Sequence, residues 1–154
     1  MGNPSYPPVI GPSPPGPPVS TRESMLAAHI AWLRHHPDRH VVIVTGGRDY
    51  EDRERVFAAL DLAHSRRRIT LLVHGACPTG ADALADEWAR ERGVDVQRFD
   101  ADWRALGPKA GPERNQRMVA AGATGAIAFP GGRGTEDCTM RCVAAGIKVW
   151  RPFG

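Results

Sequence analysis

The chain has 154 residues, a hydrophobic fraction of 42% and a formal net charge of +3 from 20 basic and 17 acidic side chains. The two signs are interspersed, so the long-range field is mild and argues against nucleic acid as the main partner. No run approaches a membrane span, the N-terminus lacks the basic and apolar regions of a signal peptide, and three cysteines without a C-x-x-C pair suit a reducing compartment. A cytoplasmic protein without membrane association is therefore expected.

Eight of the 14 prolines fall in the first 18 positions, so residues 1–20 read as an extended, proline-rich arm, serving either as a tether or as a docking segment for a protein partner. Residues 21–154 form one expected domain, and about 130 residues suffice for a single core. Met25, Leu26, His29, Ile30, Trp32 and Leu33 predict a helix over 21–35, ended by Pro37. Strands are predicted over 41–45, 69–74, 94–99, 125–129 and 147–150, where short β-branched runs replace helical spacing.

Between the strands, Val56, Leu60 and Ala63 mark one helix; Ala81, Leu84, Ala85 and Trp88 mark another, with Thr79 and Asp82 at capping-box spacing and Gly93 as the stop. Pro112 suits a first helical position ahead of Met118 and Val119, and Thr135 is placed to cap a last helix that Gly146 closes. Cys138 and Cys142, four apart on that helix, read as small core residues. Arg66, Arg67 and Arg68 read as a solvated helix end. Five strands with intervening helices imply an α/β fold: a parallel sheet covered on both faces and joined by right-handed crossovers.

Unusual residues collect in the loops leaving the strands, where such sheets bind ligands. After the first strand, TGGRDY brings Gly46 and Gly47 for close backbone approach, Arg48 to grip a phosphate, and Asp49 to cap a helix or bind a sugar hydroxyl. After the second, HGACPTGAD brings His74, Gly75, Thr79, Gly80 and Asp82, with Thr79 and Gly80 opening a helix whose free N–H groups favour an anion. After the fourth, PGGRGTED brings Pro130, Gly131, Gly132, Arg133, Gly134 and Thr135, followed by Glu136 and Asp137, which would repel a phosphate at close range. Phosphate is expected near Gly46, Gly47, Arg48 and residues 131–134, with a carboxylate turned toward ribose hydroxyls or a base. The long stretch DADWRALGPKAGPERNQRM adds Trp103, for base stacking or as a plug holding the loop, and Arg114 and Asn115, which can face the same cleft. Neither G-x-G-x-x-G in the first loop nor G-x-x-x-x-G-K-[ST] anywhere is present, so ordinary NAD(P) chemistry and P-loop NTPase chemistry are not supported.

Together, TGGRDY, HGACPTGADALADEWA, DADWRALGPKAGPERNQRM and AFPGGRGTED resemble the YspA/YpsA-related branch of the SLOG superfamily over residues 41–150. The resemblance implies a Rossmann-like fold that binds nucleotides or nucleotide-derived small molecules at its Gly-rich strand ends, and a homo-oligomer. No cofactor is expected to be required and no metal site is assigned; a divalent metal is left open. Lonely guy phosphoribohydrolases of the same superfamily carry P-G-G-x-G-T-x-x-E; here Pro130 to Thr135 match, Arg114 stands in for their upstream Arg, and Cys138 replaces the terminal Glu. The implied enzyme alternative is nucleotide N-glycosidic cleavage, with Arg114 holding phosphate or the departing base and Glu136 or Asp137 supporting the ribosyl cation. DprA-type DNA-binding relatives fit less well, for want of a basic aromatic groove. The third alternative is an assembly component working through its arm.

Overall fold

A computed structural model describes residues 22–154; the expected arm lies outside the described residues. The order is α1 (Arg22–His35), β1 (Val41–Thr45), α2 (Arg53–Arg66), β2 (Leu71–His74), α3 (Gly80–Arg92), β3 (Asp95–Arg98), α4 (Trp103–Leu106), a 3-10 turn (Gly107–Lys109), α5 (Ala110–Ala120), β4 (Gly125–Ala128), α6 (Arg133–Ala144) and β5 (Val149–Trp150). Among the described residues the strands form one five-stranded, all-parallel sheet in the order β3-β2-β1-β4-β5, the α/β, doubly wound architecture that the alternating pattern implies.

β1 lies at the centre, which is why VVIVT is apolar nearly throughout: both of its faces are covered. Val42 and Val44 pack with Val56, Leu60, Ala85 and Trp88 of α2 and α3, while Val41 and Ile43 pack with Met118, Cys138 and Cys142 of α5 and α6. Trp88 is fully buried and donates its indole N–H to Asp61 at 2.9 Å, so a large aromatic enters the core with its polar atom satisfied. α1 closes the second face: Trp32 lies against Gly122 and Leu26 against Gly146, both glycines in the left-handed region. Cys138 and Cys142 are core residues, as their spacing suggested.

β1 has the expected bounds, while the other four strands are shorter than the runs that announced them. β5 retains two residues because its partner offers a ladder only at Ala126 and Ile127. Gly93 ends α3 in the left-handed region, and Gly146 follows α6 in the same conformation. Three terminus assignments need correction. Thr79 makes no side-chain cap to α3, and Asp82 accepts from Cys77 N rather than closing a capping box. Gly132 occupies the cap of α6, so Thr135 lies inside the first turn and is buried. α5 starts at Ala110 with Pro112 in its third position, which costs no hydrogen bond because N–H groups of the first turn have no intrahelical acceptor.

β2 and β3 follow β1 on one side of the sheet, and β4 and β5 lie on the other. The loops leaving β1 and β4 therefore diverge onto opposite faces, and the gap between them is the crevice of this architecture.

Candidate functional site

The three Gly-rich loops are laced together by main-chain bonds. Gly47 N donates to Pro130 O at 2.8 Å, tying the β1 loop to the β4 loop, and Ala81 N donates to Gly47 O at 3.1 Å, tying α3 to both. The Thr79 hydroxyl, free of capping duty, donates to Arg48 O at 2.6 Å. Side chains would break this lacing. A Cβ on Gly46 would lie 2.5 Å from Ala81 Cβ, one on Gly131 would overlap Thr135 Oγ1, and Gly80, at φ +71°, would drive one into Gly47 O. The glycines thus serve close packing between loops as well as access to the backbone.

Between the loops lies a cleft of about 520 Å³. Its first wall is Gly46, Gly47, Arg48 and Asp49 with Gly132, Arg133, Gly134 and Thr135; its second is Gly75, Asp82, Arg114 and Asn115. The structure therefore brings twelve of the sequence-predicted positions to one cavity. Val44, Thr45, Cys77 and Met118 also line it and were not anticipated. Met118 had a readable signal: it stands three residues after Asn115 and four after Arg114, on one helical face. Thr45, the last residue of β1, carried the weaker signal of a strand end, and Cys77 none beyond its loop.

Arg114 is held at both ends of its guanidinium, with Nη1 donating to Gly75 O and Nε to Asn115 Oδ1. Asn115, buried, donates its amide to Gly134 O at 3.2 Å and Asp137 Oδ2 at 3.0 Å, so one side chain joins α5 to the start of α6. Asp82 is only 8% exposed. Burial pushes its carboxyl above the usual carboxylate range, against the opposing pull of His74, the Cys77 amide and Arg114. Among the described residues, no carboxylate pairs with Arg48 or Arg133, and no cation pairs with Asp82.

Other predicted positions stand beside the cleft without lining it. His74 is buried: its Nδ1 accepts from Ala76 N at 2.9 Å, so the ring proton is on Nε2 and is donated to Asp86 at 2.7 Å. That acceptor holds Ala76 at φ +60°, a conformation costing a non-glycine residue about 1 kcal/mol. Asp86 also receives Arg98 at 2.6 Å and Arg90 at 3.0 Å; burial works to raise its pKa, and the hydrogen bonds from Arg98 and His74 outweigh it, leaving the carboxyl below the usual range. Trp103 is 50% exposed, with its ring edge against Gly111 at the foot of α5. Glu136 pairs with Arg151 at 3.0 Å and Asp137 with Arg141 at 2.8 Å. Of the three candidate catalytic residues, only Arg114 reaches the cleft. Cys138, at the position of the Lonely guy glutamate, is fully buried. Among the described residues no cluster of three His, Cys, Asp or Glu side chains is arranged to hold a metal ion, and no helix is long and apolar enough to cross a membrane.

The YspA, cpYpsA-related SLOG family matches residues 40–105. The Gene 61 protein of Mycobacterium phage D29 is 43% identical over 116 residues, covering 70% of this chain and 92% of that protein. The chain belongs to the YspA, cpYpsA-related SLOG family. The family match takes in the loops after β1 and β2 and stops short of α5; in this SLOG protein the remaining cleft residues are tied to it through the Gly47–Pro130 and Arg114–Gly75 bonds.

Proposed function

We propose that this SLOG protein binds a nucleotide or nucleotide-derived small molecule, with the phosphate against the wall formed by the β1 loop and the start of α6. The observation that carries this reading is the convergence on one cleft of the glycines of two loops, the N-terminus of a 12-residue helix, and the unpaired guanidinium groups of Arg48 and Arg133. Free N–H groups in the first turn of a helix suit an anion, and arginine adds charge and directed donors. Glu136, which would oppose a phosphate here, is engaged by Arg151. The cleft volume falls in the range of small-molecule sites. Glu136 and Asp137 are both committed to arginines, which favours a binding or sensing role over glycosidic cleavage through those two carboxylates.

The test is calorimetry and thermal denaturation against nucleoside monophosphates, diphosphates, cyclic nucleotides and ADP-ribose. A ligand at about 100 times its dissociation constant is expected to add about 2.7 kcal/mol of stability, and joint replacement Arg48→Ala with Arg133→Ala to abolish most of that gain. Absence of stabilisation by every member, together with absence of binding to inorganic phosphate, would overturn the reading.

A further inference from the structure

The two walls of the cleft differ in chemistry. The first presents N–H groups and cations, while the second contains an acceptor, Asp82, that nothing in the proposed phosphate contact uses. Asp82 stands in the first turn of α3, is more than nine-tenths buried, and lines the cleft. Its carboxylate accepts from Cys77 N at 3.2 Å, which leaves lone pairs for a further donor. Arg114 donates to Gly75 O and Asn115 Oδ1 and forms no hydrogen bond or ion pair with Asp82. The other cleft carboxylate, Asp49, is exposed, so water can satisfy it in the absence of ligand. Asp82 is largely shielded from bulk water, and a buried acceptor discriminates most strongly against ligands that leave it unpaired.

The chemistry of the missing donor follows from its surroundings. A second phosphate would face Asp82 with like charge, and a cationic group would meet Arg48, Arg114 and Arg133 in the same cavity. A neutral donor satisfies both walls. In a nucleotide held by its phosphate, the neutral donors next along the molecule are the vicinal ribose hydroxyls. Resting on the nucleotide reading above, we propose that Asp82 accepts the 2′- and 3′-hydroxyls of the bound nucleotide, so that the cleft selects ribonucleotides over 2′-deoxyribonucleotides.

The experiment is calorimetric titration of the full chain with AMP, GMP, CMP, UMP and their 2′-deoxy counterparts, with inorganic phosphate as competitor. The best ribonucleotide is expected to bind about 10-fold or more tighter than its 2′-deoxy partner, and its 3′-deoxy analogue to be weakened as well. In Asp82→Asn the gap should shrink to about 3-fold or less, while competition by phosphate is unchanged. The substituted amide keeps an oxygen for Cys77 N and removes a charge that burial disfavours, so this variant should melt at or above the wild-type temperature. Should it fail to fold, the wild-type titrations with 2′- and 3′-deoxy ligands decide the sugar claim by themselves. Equal binding of ribo and deoxy forms, a preference that follows the amino group of the base instead of the sugar, or full retention of sugar preference in Asp82→Asn would overturn the assignment while leaving the cleft reading intact. Failure of every nucleotide and of phosphate to bind would remove both.

Discussion

A methyl group at position 75 would sit 2.5 Å from Arg114 Nη1 and 2.7 Å from its central carbon. The obstacle is the end of a flexible side chain, so Gly75→Ala should fold while Arg114 leaves the Gly75 carbonyl. One charge-assisted bond at the cleft is worth about 1.5–3 kcal/mol, and ligand affinity should fall roughly 10-fold or more, measurable by titration, with a small change in melting temperature. Equal affinity in the variant would show that Arg114 need not be held there. At this scale the sequence was informative about residue types and less so about their duties. Gly46, Arg48, Asp82, Arg114 and Asn115 announced themselves as strand-end or helix-start groups. That Asn115 spends its amide on Gly134 O and Asp137, or that His74 reaches Asp86, depends on how the elements pack against one another.

Among the elements, α3 shows how a helix start is built by its neighbours. Its first residue, Gly80, takes φ +71° against the Gly47 carbonyl. Gly80→Ala combines left-handed strain with a collision against main chain that cannot swing away, and should destabilise by about 2–4 kcal/mol, lowering Tm by roughly 10 °C. Gly93→Ala is the control: it shares a positive φ of 69° but meets no atom within 4 Å, so only the conformational cost of about 1 kcal/mol applies. Comparable losses in the two variants would mean that the Gly47 contact contributes little. The helices and strands were recognisable from periodicity because each buries a defined face. Their ends were harder. Thr79 and Thr135 both have the chemistry of a cap, yet the first is drawn to Arg48 O and the second lies within a turn that begins at Arg133.

For the molecule as a whole, His40 joins the entrances of three strands: its N donates to Thr70 Oγ1 at 2.9 Å and its Nδ1 lies 2.7 Å from Thr124 Oγ1. Burial, with Arg67 and His64 nearby, pushes its pKa from the ordinary 6.5 to about 4. The folded state therefore binds fewer protons than the unfolded chain between those values. Stability is full above pH 6.5 and declines as pH falls toward about 4, by roughly 1–3 kcal/mol. Denaturant titrations at about pH 7, 5.5 and 4.5 should show this loss, and His40→Gln should flatten it over that window. An unchanged slope in the variant would place the sensitivity elsewhere.

Periodicity and loop composition by themselves determined the α/β class, the parallel sheet, the core membership of Cys138 and Cys142, and the concentration of glycine and arginine at strand ends. These are local properties: a strand buried on both faces must be apolar throughout, and a close turn must shed its side chains. Only the tertiary structure decided which charged groups face the cleft. Asp82 and Arg114 do, while Glu136 and Asp137, adjacent to the most glycine-rich loop, are claimed by Arg151 and Arg141. Arg141 is one turn along the same helix from Asp137 and was within reach of sequence reasoning, whereas Arg151, which holds Glu136, and Asn115, which also reaches Asp137, are brought there by the packing of separate elements.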